Sequence, residues 1–342
     1  MAQFHLQIHI TGRCNCRCKH CYIAPNAREL SPEMVERILM QYDRLINRIK
    51  KEQGEVLPFV YITGGEPFLH GQIQEIFALM KQYSDRFSFR VMTNGTVLRK
   101  DLLEDFCKLS IPGVQVSIDG SQKIHDDIRG EGNLEQVLQG LDMMHAYGIQ
   151  TRVSFTAHSA NYKDFPEVAE LCRKHHVNVL WSDRYVQCQE NRILSALTPY
   201  QTKEYVELLE QEKRNQKNRE AGLTIKNVRS LQFLVSGEYP YHCSAGTTAL
   251  AVDEAGEVYP CRRFAISCGN VFAKDLEEIY YNSEVMQNLR MQRIPKACRG
   301  CRHRKLCRGG ARCIALAAYG DYNREDPGCW LCEGETCRPE KQ

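Results

Sequence analysis

The feature that most constrains the fold is a repeated alternation of short apolar strands with helical segments. Alternating apolar residues predict six strands, at residues 4–10, 58–62, 87–92, 113–118, 150–156 and 177–182. Helical patterns lie between them, at residues 32–52, 71–83, 100–108, 134–147 and 163–175. This order indicates a parallel sheet with right-handed crossovers, whose ligands bind at the C-terminal ends of the strands. Because six units cannot complete an eight-fold barrel, we predict an α/β fold with an open, partial (β/α)6 barrel of the TIM type.

The chain is long enough for more than this barrel, since 342 residues correspond to about two domains. Residues 199–221 form a highly charged helical pattern that is typical of a solvated connector. We therefore expect the barrel over residues 1–198, a helical connector over 199–235 and a small cysteine-rich domain over 236–342.

Seventeen cysteines make metal binding or catalysis the central question. No apolar run approaches the ~20 residues that span a bilayer, and residues 1–10 lack the pattern of a signal peptide. We expect a cytoplasmic protein, in which thiols stay reduced and do not form a disulfide framework. The net charge of +3 is scattered along the chain, which indicates neither a nucleic-acid partner nor a membrane partner. Cys107 and Cys172 lie in helical apolar patterns and are predicted to be inert buried thiols.

Three cysteines with the spacing C-x3-C-x2-C directly follow the first predicted strand: Cys14, Cys18 and Cys21. Three thiolates on a [4Fe–4S] cluster leave one iron open for a ligand. A structural zinc ion is the alternative, because Cys16 or His20 could supply a fourth ligand. The second strand ends in Gly64-Gly65-Glu66-Pro67, where two glycines let the backbone approach a ligand closely. On its own, this motif could also be a simple strand-to-helix turn.

Together, the two motifs resemble the signature of the radical S-adenosylmethionine (SAM) enzymes. Similar pieces follow later strands: Asn94 in Thr93-Asn94-Gly95-Thr96, Ser117 and Asp119 in Val116-Ser117-Ile118-Asp119-Gly120, and Arg129 in His125-Asp126-Asp127-Ile128-Arg129-Gly130. The resemblance implies that the open iron chelates SAM, and that one electron breaks the sulfonium to give a 5′-deoxyadenosyl radical, which takes a hydrogen atom from the substrate. It also implies flavodoxin or ferredoxin as the reductant.

The resemblance further implies a SAM site built from these strand ends. Gly64, Gly65 and Glu66 would receive the SAM ammonium group, and Ser117 and Arg129 would bind its carboxylate and ribose. Arg129 suits a carboxylate because its planar fork donates two bonds at once. His20 takes the position before the last cysteine and would contact adenine. The remaining residues of the implied cofactor site are Tyr22, Pro67, Asn94 and Asp119.

The second cysteine-rich region begins with a predicted hairpin from Cys243 to Cys261, with the pattern C-x12-G-x4-C. Five more predicted metal ligands follow: Cys298, Cys301, Cys307, Cys313 and Cys329. The pattern resembles the SPASM domain, which carries two auxiliary [4Fe–4S] clusters in addition to the SAM-binding one.

By this resemblance, one auxiliary cluster would be held by four cysteines: Cys298, Cys301, Cys307 and Cys329. Cys243 and Cys261 would begin the other. Ala311 occupies the position where the family has a cysteine, and Cys313 comes two residues later. The fourth ligand of this second set stays open between Cys268, Cys332, Cys337 and no protein ligand at all; an open iron could bind a substrate thiolate or carboxylate.

The leading hypothesis is a radical SAM/SPASM enzyme that modifies a ribosomally synthesised peptide by cross-linking, epimerisation or oxidation. The alternatives are modification of a small molecule, such as a sugar, nucleoside or tetrapyrrole precursor, and a non-catalytic iron–sulfur electron carrier. Cys261 is followed by Arg262 and not by the aspartate of the sulfatase-maturing branch. Because the first strand begins at residue 4, we expect either unaided peptide binding or delivery by a separate leader-binding protein.

Overall fold

A computed structural model describes residues 2–24, 26–108, 113–187, 193–227, 231–240 and 242–331. Cys332 and Cys337, two of the ligands considered for the second auxiliary set, lie outside these residues. Among the described residues, no helix combines the length and the apolar character needed to cross a membrane.

Nine strands form one sheet in the order β7-β6-β5-β4-β3-β2-β1-β8-β9. They are β1 (Ala2–His9), β2 (Val56–Thr63), β3 (Ser88–Met92), β4 (Val114–Ser117), β5 (Thr151–Ala157), β6 (Val179–Arg184), β7 (Thr224–Asn227), β8 (Ala249–Val252) and β9 (Val258–Tyr259). Strands β1 to β7 pair in parallel with their sequence neighbours, and β8 pairs in parallel with β1. Strand β9 pairs antiparallel with β8. The predicted α/β class and the six predicted strands are confirmed.

Thirteen α-helices accompany the sheet. They are α1 (Pro32–Gln53), α2 (Ile73–Gln82), α3 (Lys100–Lys108), α4 (Gln122–Arg129), α5 (Asn133–Ala146), α6 (Phe165–Lys174), α7 (Pro199–Arg214), α8 (Gln216–Glu220), α9 (Phe233–Ser236), α10 (Leu276–Asn282), α11 (Glu284–Arg290), α12 (Arg304–Cys307) and α13 (Arg312–Tyr319) among the described residues. The Ser31 hydroxyl caps α1 by accepting a hydrogen bond from the Met34 amide, as its sequence position predicts. Helix α4 was not predicted, because its eight residues carry little apolar periodicity.

The sheet crosses both predicted domain boundaries. Strand β7 lies within residues 199–235, so this segment is a helical connector only as far as α8 and then adds a strand to the barrel sheet. The predicted hairpin of the cysteine-rich domain is formed by β8 and β9, and it extends the opposite edge of the same sheet. Strands of four and two residues are too short to produce a clear alternation, so sequence alone did not reveal that they join the sheet.

Two groups of buried apolar residues hold the structure together. The larger group lies between the sheet and several helices, among them α1, α2, α5, α6, α7 and α10, and it includes the fully buried Leu6, Ile8 and Val60. Burial of each such side chain contributes about 1.5–3 kcal/mol relative to exposure. The smaller group lies in the cysteine-rich domain around Phe264 and Ile314. Both strands of the β8–β9 hairpin contribute to the larger group, through Leu250, Val252 and Val258.

Candidate active site

A cavity of about 490 Å³ lies where the strands of the barrel end. The loops after β1, β2 and β3 and the end of β4 contribute to its lining, as does the segment after β9. Ten predicted site residues line it together: Cys14, Cys18, His20, Cys21, Tyr22, Gly64, Gly65, Asn94, Ser117 and Arg129. Strand ends that lie apart in the sequence therefore meet at one place, as expected for a parallel sheet.

Cys14, Cys18 and Cys21 all face this cavity from the loop after β1. A hydrogen bond from the Cys16 thiol outweighs burial and lowers the pKa of Cys14 to about 6 and that of Cys18 to about 7. Both thiols therefore ionise easily, and the thiolate is the form that binds a metal. Within the described residues, no group of three or more His, Cys, Asp or Glu side chains could hold a single metal ion.

Cys16 has no predicted role and lies between Cys14 and Cys18 in the sequence. Its side chain is buried. Its hydrogen bonds to Cys14 and Cys18, together with burial, raise the pKa of its own thiol. The side-chain amides of Asn94 and Asn133 lie 3.3 and 3.4 Å from its sulfur, as donors. Cys16 therefore lines the cavity and connects its loop to Asn94 and Asn133.

Gly64 and Gly65 pack directly against the backbone of the loop that follows β1. The Gly65 amide donates a hydrogen bond of 2.7 Å to the Thr11 carbonyl. A Cβ atom on Gly64 would lie 2.3 Å from the Thr11 oxygen, and one on Gly65 would lie 2.2 Å from the Arg13 oxygen. Gly64 also has a φ of 152°, which favours glycine. The two loops can lie this close together because neither Gly64 nor Gly65 has a side chain.

Glu66 was expected to receive the SAM ammonium group, but its side chain points away from the cavity and is fully buried. Its carboxylate accepts hydrogen bonds from the Thr93 hydroxyl and the Asn94 amide, both at 2.7 Å, and from the Phe68 amide at 3.1 Å. Burial raises the pKa of Glu66 to about 7. Its side chain joins the loop after β2 to the loop after β3, and Pro67 is buried next to it.

Glu66→Gln is expected to loosen this connection. The nitrogen of the new side-chain amide would face the backbone N–H of Asn94, and both groups are hydrogen-bond donors. An unsatisfied buried donor costs about 1–3 kcal/mol, so the midpoint of anaerobic chemical denaturation should fall. In the wild type, the contribution of Glu66 to the free energy of unfolding should be full below its ordinary pKa of 4.5. It should decline as the pH rises to about 7, because the folded state retains the proton to a higher pH than the unfolded state does. Glu66→Gln should remove this pH dependence. Glu75→Gln on the exposed side of α2 is the control, and an equal loss there would contradict the role of Glu66.

Asp119 and Arg129 form a buried ion pair of 2.6 Å beneath the cavity. Arg129 is the last residue of α4, and its Nε donates to Asp119. Although burial opposes ionisation, the Arg129 charge holds the pKa of Asp119 well below its usual value. The other edge of the guanidinium faces the cavity, with Nη1 at 3.7 Å from the Cys18 sulfur and Nη2 at 3.3 Å from His20 Nε2. Asp119 itself does not line the cavity, so it positions Arg129.

The cysteines of the second region fall into two groups. Four of them line a common small pocket: Cys298, Cys301, Cys307 and Cys329. These are the four residues expected to hold one auxiliary cluster. Cys243, Cys261 and Cys313 instead pack around the smaller apolar core near Phe264.

Cys268 belongs to neither group. It packs against the larger core of the barrel, and its thiol donates to the Ile266 carbonyl at 3.8 Å. It therefore belongs to neither of the two groups that the described cysteines of this region form. Of the two thiols expected to be inert, Cys172 is fully buried as predicted, whereas Cys107 is exposed, because it lies on the outer face of α3.

The sequence matches two family models. Residues 8–172 match the radical SAM superfamily, and residues 243–302 match SPASM, an iron–sulfur cluster-binding domain. The chain belongs to the radical SAM superfamily. It is therefore an enzyme that uses SAM and a [4Fe–4S] cluster, and its SPASM domain binds auxiliary iron–sulfur clusters. The electron-carrier alternative is thereby excluded.

Relatives and solved structures cover most of the chain. The AdoMet-dependent heme synthase of Methanosarcina barkeri is 26% identical over 344 residues, 94% of each chain. The antilisterial bacteriocin subtilosin biosynthesis protein AlbA of Bacillus subtilis is 26% identical over 309 residues, 87% of this chain and 63% of AlbA. The crystal structure of Streptococcus suis SuiB bound to precursor peptide SuiA has a TM-score of 0.73 and 18% identity, over 98% of this chain and 76% of SuiB. This last likeness concerns the fold.

The cavity of this radical SAM enzyme has features that fit the cofactor. The backbone of Gly64 and Gly65 forms a cradle that any Cβ would fill. His20 lines the cavity with its Nδ1 atom buried and without a hydrogen-bond partner among the described residues. Burial lowers the pKa of His20 to about 4, so the ring is neutral and can pack on an uncharged aromatic base. Together with the edge of Arg129 that faces the cavity, these groups match the polar and aromatic parts of SAM.

Sequence reasoning missed several residues that line the same cavity. Met92 comes from the end of β3, Asp183 and Tyr185 from the end of β6, and Arg262 and Arg263 follow β9. None of them lies in a recognisable motif. A signal was available at Arg262, which directly follows the predicted metal ligand Cys261 and stands where the sulfatase-maturing branch has an aspartate.

Cys307→Ser and Cys268→Ser are expected to differ in their effect on iron content. Cys307 lies in the four-cysteine pocket, so its loss should remove about four of roughly twelve irons. Cys268 lies apart from both groups, so Cys268→Ser should keep the iron content of the wild type. Iron analysis after anaerobic reconstitution compares the two variants. If Cys268→Ser lost as much iron as Cys307→Ser, the grouping of the cysteines would be wrong.

Proposed function

We propose that this enzyme cleaves SAM reductively and uses the resulting radical to modify a ribosomally synthesised peptide by cross-linking, epimerisation or oxidation. The observation that carries the proposal is the shared cavity, in which the cysteine loop, the glycine cradle and the segment after β9 of the cysteine-rich domain meet. A substrate that enters there lies against residues of both domains. The likeness to AlbA, a bacteriocin biosynthesis protein, over 87% of the chain supports a peptide substrate.

Each group of residues has a proposed task. Cys14, Cys18 and Cys21 would hold the SAM-binding [4Fe–4S] cluster, which supplies a 5′-deoxyadenosyl radical for hydrogen abstraction when SAM is bound. The cofactor would be bound by residues that line the cavity: His20, Tyr22, Gly64, Gly65, Asn94, Ser117 and Arg129. Glu66 and Asp119 would hold the loops and Arg129 in place. The protein thus contributes mainly position and electrostatics.

The SPASM cysteines would hold two further [4Fe–4S] clusters. Cys298, Cys301, Cys307 and Cys329 would complete one, and Cys243, Cys261 and Cys313 would supply three ligands of the other. We also propose a cytoplasmic location, a flavodoxin or ferredoxin as the electron donor, and a separate leader-binding protein as a possible partner.

A second candidate substrate is a tetrapyrrole. It is favoured by the heme synthase relative, which aligns over 94% of both chains. The arginine-rich lining of the cavity also suits a substrate with carboxylates. A planar macrocycle and a peptide would enter the same opening, so the substrate has to be found by experiment.

Anaerobic reconstitution tests the proposal in two steps. The enzyme with iron, sulfide, SAM and dithionite should release 5′-deoxyadenosine, measured by liquid chromatography. It is then incubated with short peptides encoded near its gene and, separately, with iron coproporphyrin III, and mass spectrometry follows both. A changed peptide mass supports the leading proposal, and a changed porphyrin mass favours the second candidate. No release of 5′-deoxyadenosine would contradict both.

A further inference from the structure

The cavity carries an excess of positive charge. Among the residues the structure describes, four arginines and a single aspartate line it: Arg17, Arg129, Arg262 and Arg263, and Asp183. A positively charged wall raises the local concentration of anionic ligands. Which of these arginines is available to a ligand depends on the partners that each already has.

Three of the four arginines are engaged by the protein itself. Arg129 is paired with Asp119 at 2.6 Å. Arg263 is paired with Asp183 at 2.5 Å and donates to the Arg184 carbonyl at 2.7 Å. Arg17 donates to backbone carbonyls of its own loop, at 2.8 Å to Cys14 and at 2.9 Å to Cys16. Each of these guanidinium groups has an oxygen acceptor.

Arg262 is different from the other three. It is half-buried, and within the described part of the chain its contact with a polar atom is a 3.6 Å approach of Nη1 to the Met92 sulfur. A thioether sulfur is a weak acceptor that leaves most of the hydrogen-bonding capacity of a guanidinium unused. Burying a cation without a strong partner is unfavourable. The neighbouring Arg263, by contrast, has both the Asp183 carboxylate and the Arg184 carbonyl as oxygen partners.

Among the described residues, no aspartate or glutamate forms an ion pair with Arg262, since Asp183, the carboxylate of the cavity lining, is paired with Arg263. Burial, together with the charge of the nearby Arg262, lowers the pKa of His9 to about 3. The His9 ring is therefore neutral. Met92 and Tyr22 complete the nearby wall. The guanidinium therefore faces the cavity as a preformed anion site on the side of the cysteine-rich domain.

We infer that Arg262 binds a carboxylate of the substrate. This inference rests on the proposed function, because it assigns the substrate of that reaction to acidic molecules. A guanidinium fork matches a carboxylate with two parallel hydrogen bonds, which fix orientation as well as position. In a peptide the group would be an aspartate or glutamate side chain, and in a tetrapyrrole it would be a propionate. Arg262 thus sets which part of the substrate lies near the SAM site.

The test measures binding to the reconstituted, SAM-loaded enzyme without reductant, by anaerobic equilibrium dialysis. One probe pair is iron coproporphyrin III and its tetramethyl ester. The other is a pool of acetylated, amidated heptapeptides with a central aspartate or glutamate, and the same pool with asparagine or glutamine. In each pair, the second probe keeps the skeleton of the first and replaces its carboxylates with neutral esters or amides. The proteins compared are the wild type, Arg262→Gln, Arg262→Lys and Arg214→Gln, which removes an exposed arginine of α7.

The wild type should bind the carboxylate form of one pair about 10- to 100-fold more tightly than its neutral counterpart, the range expected for a hydrogen-bonded ion pair. Arg262→Gln should lose this preference, Arg262→Lys should keep part of it, and Arg214→Gln should resemble the wild type. The pair that shows the preference identifies the source of the carboxylate. The inference is wrong if the wild type prefers neither acidic probe, or if Arg262→Gln retains the preference.

A purely electrostatic role toward the neighbouring cluster predicts another pattern. In that case Arg262→Gln would shift the midpoint potential of an auxiliary cluster, and it would weaken the binding of acidic and neutral probes equally. This result would overturn the inference. Release of 5′-deoxyadenosine by the wild type is measured separately. Its absence would contradict the proposed function, while the dialysis result would still decide the role of Arg262.

Discussion

Cys18→Ala is expected to reduce release of 5′-deoxyadenosine to below about 1% of the wild type, because a [4Fe–4S] cluster with one open iron has only three protein ligands to lose. Cys18 lines the cavity together with Cys14 and Cys21, and its neighbour Cys16, which also lines it, accepts hydrogen bonds from the amides of Asn94 and Asn133. Cys14→Ala and Cys21→Ala should behave in the same way. Iron analysis should find about eight of roughly twelve irons in each variant, held by the auxiliary sites.

Cys107→Ala is the matched control for this series, because Cys107 is an exposed thiol outside all three cysteine groups. It should keep wild-type release and iron content. If Cys18→Ala still cleaved SAM, another group would have to replace the third ligand, and a double variant that also removes Cys16 would identify it. If Cys18→Ala lost all of its iron, the auxiliary sites would depend on the first one.

Gly65→Ala is expected to produce the second large effect. Its Cβ would lie 2.2 Å from the Arg13 oxygen and 3.0 Å from the Cys14 side chain, and both belong to the loop that carries the proposed cluster ligands. Because the clash is with backbone, the two loops must move apart, at a cost of about 1–3 kcal/mol. A displacement of about 1 Å at a reacting centre can lower a rate roughly 100-fold. We therefore expect a lower thermal midpoint and about a 100-fold slower release of 5′-deoxyadenosine.

Gly71→Ala provides the comparison within the same region. Gly71 is exposed, and a Cβ there would lie 3.5 Å from the flexible Glu29 carboxylate, which is ordinary contact. This variant should retain both stability and SAM cleavage. Equal activity of Gly65→Ala and the wild type would show that the loops after β1 and β2 can separate without disturbing the cofactor site, contrary to the cradle described above.

Many of the motif residues could be placed from the sequence, because each motif directly follows a strand. The alternation of apolar residues located β1 to β6, and in a parallel sheet their C-terminal ends meet at one edge. Cys14, Gly64 and Ser117 therefore reach the same cavity although up to about a hundred residues separate them. Helix α4 and strands β7 to β9 were missed or only partly anticipated, since short elements produce weak periodicity.

The direction of individual side chains could not be predicted in this way. Glu66 and Asp119 lie in recognisable motifs, yet both carboxylates point into the protein, where they accept hydrogen bonds from Thr93 and Arg129. Whether a buried carboxylate faces a ligand or a neighbouring loop depends on which donors surround it, and those donors come from other strand ends. The motif marks the position and leaves the role of the side chain undecided.

The sequence by itself determined the α/β class and, through the resemblance of its motifs, the superfamily, because these depend on periodicity and on spacing between residues that are close in the chain. Only the tertiary structure decided the cysteine groups, the separation of Cys268 and the environment of Arg262. These depend on contacts between distant segments: Met92 and Arg262, which touch in the cavity, are 170 positions apart. Spacing cannot encode such a contact, since it arises when β8 and β9 extend the barrel sheet next to β1.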